Sequence, residues 1–312
     1  MSFPAFYDPK RTGSLYYPDV AAISQDAEKS GLTPADTDSL KILCLLIDMQ
    51  VDFCHESGSL FVPGAIQDVQ RVIEFIYRNA GRITKIICSL DSHYPLQIFH
   101  PAWWADQNGR HPDPFTIISI EDVETEKWRP LREKEWTIRY VKALQREAKK
   151  QLTIWPYHVP IGGVGNALDP ELWSAVFWHA IARKSQPIWL QKGSVAKTEH
   201  YSIIKPEIPV EEQNNQTSTE RFEQLVDEYD YIYLAGEAQS HCVLETVKDI
   251  AVIFKNQPDK LKKIFILKDC MSAVAHPEID FHAMAQQEFA AFAKQGIQFI
   301  DSTEPLPTEA GA

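Results

Sequence analysis

The sequence has few cysteines, no long hydrophobic run and no excess of positive charge. Its five cysteines are Cys44, Cys54, Cys88, Cys242 and Cys270. None of them forms the CxxC spacing of a zinc ribbon. An odd and sparse set in a chain of 312 residues predicts reduced thiols in a cytoplasmic protein rather than a disulfide framework.

The charge balance excludes two classes of partner. Lys and Arg number 31 and Asp and Glu 43, which gives a formal net charge of -12. Proteins that bind nucleic acid or anionic membranes need clustered positive charge, so we expect neither partner. No segment reaches the roughly 18 apolar residues of a membrane span. The first residues, MSFPAFYDPKRTG, lack the apolar core of a signal peptide.

Short apolar runs alternate with helical patterns along most of the chain. The runs lie at 41–47, 84–90, 187–191, 230–235, 263–267 and 296–300. Between them, patterns of helical period lie at 65–80, 170–184, 218–229, 241–256 and 280–295. Continuous apolar runs are typical of strands that are buried on both faces. The alternation therefore predicts an α/β fold with three α/β/α layers and a doubly wound, mainly parallel, Rossmann-like sheet.

The remaining segments divide the chain around one predicted domain at 39–304. Residues 1–38 are expected to form an N-terminal extension over the surface, with a helical turn at 18–29, and residues 305–312 a tail. An insertion at about 101–150 separates the second and third strands and contains a helical pattern at 134–150. Insertions of this length are more often functional than idle. Trp103 and Trp104 could form a lid there, although packing of the insertion on the domain is the favoured interpretation.

Three chemically matched residues follow three of the predicted strands. Ligands of open parallel sheets bind beyond the carboxyl ends of the strands. Asp48 follows the first strand and Lys192 the third, and Cys242 stands at the start of the helix after the fourth. A cysteine nucleophile, a carboxylate base and a stabilising ammonium form a plausible catalytic set. A helix N-terminus would also favour the thiolate. Each residue alone is explained by packing, capping or surface charge, but their convergence favours catalysis.

A second group of side chains is suited to a metal ion. Asp91 and His93 are two residues apart and point the same way if the backbone is extended, and His158 lies further along the chain. One carboxylate and two imidazoles with open positions suit a divalent ion, with zinc expected first and iron or manganese as alternatives. Capped turns and exposed histidines explain so short a motif equally well. His100 is a possible additional ligand.

Five ordered segments resemble the isochorismatase-like cysteine hydrolases, and the nicotinamidase branch in particular. They are IDMQVDFCHESGSLFVPGA, SLDSHYP, IWPYHV, KGSVAKTEHYS and AGEAQSHCV. The resemblance extends from about Ile42 to Ser302. It implies a catalytic triad and a set of metal ligands: Asp48, Lys192 and Cys242 for the triad, and Asp91, His93 and His158 for the metal.

The resemblance also implies the surroundings of the substrate. Phe53 and Trp155 would form aromatic walls around its ring. A cis peptide bond between Glu237 and Ala238 would shape a turn whose N–H groups stabilise an oxyanion. The implied reaction is hydrolysis of nicotinamide to nicotinate and ammonia, through a thioester, in NAD salvage.

The sequence departs from the family pattern at several places, and these departures leave the substrate open. Ser92 replaces an aromatic residue, Val159 replaces a cysteine, and Glu237 stands where apolar residues are usual. The alternatives are a related hydrolase of another amide or carbamoyl compound and a non-catalytic binder of small molecules. The intact triad argues against the binder. We expect a small-molecule amide as substrate and a homo-oligomeric protein.

Overall fold

The computed structural model describes residues 3–147, 150–211, 218–276 and 278–308. Its strands are β1 (Ile42–Ile47), β2 (Lys85–Asp91), β3 (Trp104–Ala105), β4 (Ile117–Ile118), β5 (Arg129–Pro130), β6 (Leu152–Thr153), β7 (Ile188–Lys192), β8 (Tyr231–Gly236), β9 (Ile264–Leu267) and β10 (Gln298–Ile300). Its α-helices are α1 (Val20–Lys29), α2 (Val51–Cys54), α3 (Ala65–Asn79), α4 (Ile120–Glu124), α5 (Lys134–Arg146), α6 (Pro170–Ala182), α7 (Thr219–Glu228), α8 (Leu244–Ile253), α9 (Pro258–Leu261) and α10 (Phe281–Ala293).

A six-stranded parallel sheet forms the centre of the molecule. Its strand order is β10-β9-β8-β1-β2-β7. Every residue of the two central strands, β1 and β8, is buried. Alternate residues of β1 belong to two different apolar clusters: Leu43 and Leu45 lie in one, and Cys44 and Leu46 lie in the other. Both faces of the sheet are therefore covered, and the predicted three-layer fold is confirmed.

The strand order determines where the functional residues meet. The chain proceeds from β1 through β2 to β7 on one side and then crosses to β8 on the other side of β1. Ile47 pairs with Gly236, and Asp91 pairs with Lys192, at the carboxyl ends of these strands. This point of reversal between β1 and β8 is where parallel sheets of this type bind ligands.

The N-terminal extension forms more structure than the predicted helical turn. Helix α1 spans ten residues, and the side chain of Asp19 caps it by accepting a hydrogen bond from Ala22 N–H. Ile23 and Ala27 are buried, and α1 packs against α6, where Trp178 Nε1 donates to Asp26. The 3.6-residue spacing of these apolar positions carries the helix beyond one turn.

The insertion contains short elements that the sequence did not reveal. Strands β3 and β5 pair antiparallel, as do β4 and β6, and each strand has only two residues. So short a strand carries no alternating pattern. Trp103 and Trp104 are buried, and their indole N–H groups donate to Thr137 Oγ1 and Ile98 O at 3.0 and 2.6 Å. These contacts support the packing interpretation over a lid.

Two boundaries differ from the predictions or lie beyond what the structure covers. Helix α5 ends at Arg146, short of the predicted residue 150, and residues 148 and 149 lie outside the described residues. Of the predicted tail, 309–312 also lie outside them. Within the described ranges, no helix is both long and apolar enough to cross a membrane.

Candidate active site

Lys192 lies at the centre of a buried group of reactive side chains. Its Nζ is 2.9 Å from Asp48 Oδ2 and 3.6 Å from Cys242 Sγ. The same ammonium is 3.2 Å from Asp91 Oδ1 and donates to the carbonyl of His200 at 2.8 Å. The structure thus brings the three residues of the predicted triad together at the carboxyl edge of the sheet.

Asp48 is oriented by a residue that the sequence analysis did not single out. The Ser89 hydroxyl donates to Asp48 Oδ1 at 2.6 Å and accepts from the Asp48 N–H at 3.1 Å. Asp48 itself has a positive φ of 49°. Ser89 lies inside the neighbouring strand β2, so only the pairing of the two strands reveals its role.

Burial dominates the protonation of this group. It raises the pKa of the Cys242 thiol well above its ordinary value, although Lys192 acts in the opposite direction. Burial also raises the pKa of Asp48. Burial alone would lower the pKa of Lys192, but the carboxylates of Asp48 and Asp91 outweigh it and raise that pKa. Desolvation thus favours the protonated thiol, against the helix N-terminus and Lys192, which favour the thiolate.

The turn before Cys242 approaches β1 closely. Gly236 has a φ of 138°, and a Cβ there would lie 2.1 Å from the carbonyl oxygen of Ile47, so only glycine fits. The Glu237–Ala238 peptide bond is cis, and a π-helical turn, Gln239–Val243, then leads into α8. Ala238 lines the cavity described below. Among the described residues, its N–H has no hydrogen-bond acceptor.

The predicted metal ligands also lie together. The ligand atoms of Asp91, His93 and His158 are all within 4.8 Å of one another. His93 Nδ1 is 3.0 Å from the carbonyl oxygen of Gly193, and His158 Nδ1 is 2.8 Å from that of Pro156. Carbonyls that hold the Nδ1 protons leave both Nε2 atoms as ligands, which is the usual arrangement around protein-bound metals.

Two further observations show that these residues fit a divalent ion. A Cβ on Gly193 would lie 2.3 Å from Asp91 Oδ1 and 2.6 Å from His93 Cε1, so the glycine keeps this space open. Burial lowers the pKa of His158 and so keeps its imidazole neutral, as coordination requires. A carboxylate with imidazoles is a donor set for zinc, iron or manganese.

His100 lies beside this set. Its ring centre is 5.8 Å from that of His93 and 6.0 Å from that of His158. Its Nδ1 is 3.2 Å from the carbonyl oxygen of Pro95, and its buried Nε2 has no hydrogen-bond partner among the described residues. Burial lowers the pKa of His100 to about 4. Its ligand atoms do not join the group of Asp91, His93 and His158 within 4.8 Å of one another, so the structure brings together three of the four candidate ligands.

A cavity lined by Cys242, Asp91, His93 and His158 joins the thiol of the triad to the histidines. Its walls are mainly aromatic and include Phe53, Phe99, Trp155, Tyr201 and His241. Both aromatic residues predicted as walls are among them. Glu199 also lines the cavity and was not predicted, although it lies inside the KGSVAKTEHYS segment. None of the three residues that depart from the family pattern lines it: Ser92, Val159 and Glu237.

Fold and site together define a class of protein. A parallel α/β/α fold carries a buried Asp–Lys–Cys group beside a cavity with one carboxylate and several imidazoles. This arrangement matches the isochorismatase-like fold that the sequence predicts.

Comparison with solved structures finds enzymes with a similar fold. The yeast nicotinamidase Pnc1p bound to the inhibitor nicotinaldehyde is 15% identical, with a TM-score of 0.56 over 84% of this chain and 100% of that one. The Acinetobacter baumanii nicotinamidase pyrazinamidase is 18% identical, with a TM-score of 0.53 over 86% and 98%. PnC1 from L. infantum in complex with nicotinate is 16% identical, with a TM-score of 0.50 over 85% and 95%. The chain therefore has the fold of these nicotinamidases.

Comparisons by sequence find no match. No protein-family profile matches the chain, and no curated protein matches it.

Proposed function

We propose that this protein is a metal-dependent cysteine amidohydrolase that hydrolyses nicotinamide. One observation carries the proposal: Lys192 Nζ lies 2.9 Å from Asp48 and 3.6 Å from Cys242, beside a cavity that also contains a metal-binding donor set. The fold shared with nicotinamidases supports the choice of substrate.

The first half of the proposed reaction forms a thioester. Asp48 takes the thiol proton as Cys242 Sγ attacks the carbonyl carbon of the amide. Its raised pKa suits it to hold that proton. The Ala238 and Cys242 N–H groups stabilise the oxyanion. The C–N bond then breaks, and Asp48 passes the proton to the departing nitrogen, so that ammonia leaves.

The second half releases the acid. A water molecule attacks the thioester carbonyl through its oxygen, and Asp48 accepts a proton from that water. The C–S bond breaks, the thiol regains a proton, and the carboxylic acid product leaves. Throughout, the Lys192 ammonium stabilises the negative charge that moves between Asp48 and Cys242, because it contacts both residues.

Substrate capture is assigned to the other residues of the cavity. Asp91, His93 and His158 would hold one divalent ion, zinc in the first instance. When bound, this ion supplies a Lewis acid that anchors a ring nitrogen. Phe53 and Trp155 would hold the ring between them and so orient its carboxamide toward Cys242.

Other properties stay predictions from the sequence. They are the role in NAD salvage, the cytoplasmic location and the homo-oligomeric state. A hydrolase of another amide or of a carbamoyl compound is the alternative, since Glu199 makes one cavity wall polar.

Ammonia release from a panel of amides tests the proposed function. The panel contains nicotinamide, benzamide and a carbamoyl amino acid, each with protein as purified, after chelation and after readdition of zinc. Benzamide is the matched control because it lacks only the ring nitrogen. We expect rapid release from nicotinamide, weak release from benzamide, and loss of the difference after chelation. Release from the carbamoyl compound alone would favour the alternative, and no release from any compound would refute the proposal.

A further inference from the structure

Glu237 is a buried acid at the start of the turn that carries Cys242, and the proposed mechanism gives its side chain no role. It follows β8 directly and is fully buried. Its N–H donates to the carbonyl of Ile47 at 2.8 Å, which fixes its backbone to the end of β1. An acid is costly to bury unless its oxygens are hydrogen-bonded, so the side chain of Glu237 needs a partner.

That partner is the side chain of Asp68 on helix α3, which forms a hydrogen bond with Glu237. Asp68 is itself only 3% exposed. Glu237 Oε2 accepts from the Ser272 N–H at 3.3 Å, whereas Oε1 is buried and receives no N–H or O–H group from the described residues. Ionised carboxylates are acceptors only. The contact between the two acids therefore requires a proton on one of them.

The surroundings of the two acids place that proton on Glu237. Arg71 Nη1 donates to Asp68 Oδ1 at 3.1 Å, and the Ser272 hydroxyl donates to Asp68 Oδ2 at 2.5 Å. Asp68 also lies in the first turn of α3, where the helix dipole favours a negative charge. Burial and the charge of Asp68 raise the pKa of Glu237 well above its ordinary value. Burial raises the pKa of Asp68 as well, but the hydrogen bonds from Ser272 and Glu237 and the charge of Arg71 lower it.

Three segments of the chain meet at this pair of acids. They are the nucleophile turn (residues 237–243), the start of α3 and the segment after β9. Ser272, in the last segment, donates to both acids, and its carbonyl accepts from the Gln239 N–H at 2.7 Å. A Cβ on Gly64, the residue before α3, would lie 2.3 Å from Ser272 Oγ, so these segments approach closely. The acid pair thus connects the nucleophile turn to α3.

We propose that Glu237 is a positioning residue: its protonated carboxyl donates a hydrogen bond to Asp68 and so holds the nucleophile turn where the Cys242 thiol meets Lys192. When Glu237 loses its proton, two negative charges adjoin in a buried space and repel each other. The turn then shifts relative to α3 and moves the thiol away from Lys192. The chemical step slows, while capture of the substrate at the metal site is retained. The kinetic part of this inference rests on the proposed function.

The other ionisable groups around the pair would leave a second negative charge uncompensated. They are Cys54 at the end of α2, Arg71 on α3, and Asp269 and Cys270 after β9. Burial raises the pKa of both thiols, which keeps them neutral. The Asp269 carboxylate accepts from the N–H and the hydroxyl of Ser302. Arg71 is the one cation of this set, and it already pairs with Asp68.

The pH dependence of ammonia release tests the proposal. The parameters kcat and KM for nicotinamide are measured from about pH 6 to pH 10, a range that includes the titration of documented buried glutamates. We expect the wild-type kcat to fall at least about tenfold across the alkaline part of this range, the effect of losing one hydrogen bond to a charged group. The KM should stay within about threefold, because the metal site is not disturbed.

Unfolding in urea gives a second readout that needs no substrate. The unfolded chain releases the proton of Glu237 above about pH 4.3, whereas the folded chain keeps it. The wild type therefore loses stability as the pH rises from that value until Glu237 ionises in the folded state. Over that range, the unfolding equilibrium constant should rise by about tenfold per pH unit relative to a variant whose residue 237 does not titrate.

Two variants separate positioning from packing. Glu237→Gln keeps a donor for Asp68 that does not titrate, so it should lose the alkaline fall in kcat and the pH-dependent loss of stability. Glu237→Leu removes the donor, and its kcat at neutral pH should be about tenfold below that of Glu237→Gln, with a similar KM. The matched control is Glu171→Gln, because Glu171 is a buried acid that pairs with Arg11 instead. It should keep the wild-type fall.

Three results would overturn the role of Glu237: an alkaline fall that persists in Glu237→Gln, equal kcat values in the Gln and Leu variants, or stabilities of the wild type and Glu237→Gln that change in parallel with pH. Any of these, together with ammonia release from nicotinamide, refutes this inference and leaves the proposed function standing. If no amide is hydrolysed, the proposed function fails, and the urea titrations then decide on the acid pair. If Glu237→Leu does not fold, the Gln variant and the pH comparisons decide.

Discussion

Two groups of side chains meet at the cavity, and they are built differently. In the triad group, the charged atoms of Asp48 and Lys192 contact each other at 2.9 Å, and Lys192 also contacts the thiol of Cys242. In the histidine group, the imidazoles of His93 and His158 are held from behind by backbone carbonyls. The mutual contacts of the triad group suit the movement of charge during a reaction, and Lys192 Nζ, 3.2 Å from Asp91 Oδ1, links the triad to the other group. Imidazoles whose Nδ1 is held by a carbonyl present Nε2 to the same point, where His93 Nε2 lies 3.0 Å from Asp91 Oδ2, and such an arrangement suits the capture of an external cation.

Removing the nucleophile should have the largest effect. Cys242→Ala cannot form a thioester, so we expect kcat to fall by about 10⁴ or more. The matched control is Cys88→Ala, a buried thiol inside a strand that should change stability but keep most of the activity. Ammonia release and circular dichroism check both variants. If Cys242→Ala kept more than a few per cent of the rate, the triad assignment would be wrong.

Removing the central cation should cost both activity and stability. Lys192→Met leaves Asp48 and Asp91 buried without their ammonium, and breaking a buried ion pair from one side costs about 3–5 kcal/mol. The control is Lys205→Met, because Lys205 pairs with Asp249 at 3.0 Å but its side chain is 38% exposed. Such an exposed pair is worth at most about 1 kcal/mol. Urea unfolding should show a larger loss in the free energy of unfolding for Lys192→Met than for Lys205→Met. Equal losses would show that the contacts of Lys192 with the two carboxylates do not stabilise the fold.

Disrupting the histidine group should affect capture more than chemistry. In His93→Ala we expect bound metal to be lost and kcat/KM for nicotinamide to fall by at least about 10–100-fold, because loss of a residue that merely orients a metal ligand already costs that much. His111→Ala is the control, because His111 lies in the insertion and does not line the cavity. Elemental analysis and kinetics measure the two effects. Full metal content in the His93 variant would exclude this residue as a ligand.

A buried histidine outside the cavity should give the smallest effect. His179 Nε2 is 2.9 Å from the carbonyl oxygen of Ile83, and burial lowers the pKa of His179 to about 4. The unfolded chain takes up this proton below about pH 6.5, so the contribution to stability is present above that pH and is lost as the pH falls toward about 4.

His179→Gln should flatten this dependence. Between about pH 6.5 and pH 5, the free energy of unfolding of the wild type should fall by about 1–2 kcal/mol more than that of the variant. Urea titrations at a series of pH values measure the difference. Parallel curves would show that His179 does not govern the acid sensitivity.

The sequence predicts the site residues that lie at the carboxyl ends of strands. Apolar runs mark the strands, and in a parallel sheet their carboxyl ends share one edge. Asp48, Asp91 and Lys192 could therefore be placed before any coordinates. Ser89, which orients Asp48, and Glu199, which lines the cavity, could not be predicted. Both contacts depend on which side chains face each other across the fold. The burial of Cys242 could not be predicted either, and it raises the pKa of the thiol, whereas helix position favours a thiolate.

We propose that the triad group reacts with the substrate while the histidine group captures it. The most direct measurement compares alkylation of Cys242 by iodoacetamide, a small reagent without a ring, with turnover of nicotinamide, before and after chelation of the metal. We expect the alkylation rate to stay within about threefold while kcat/KM falls by about 100-fold. Equal losses in both rates, or turnover that survives complete removal of the metal, would contradict it.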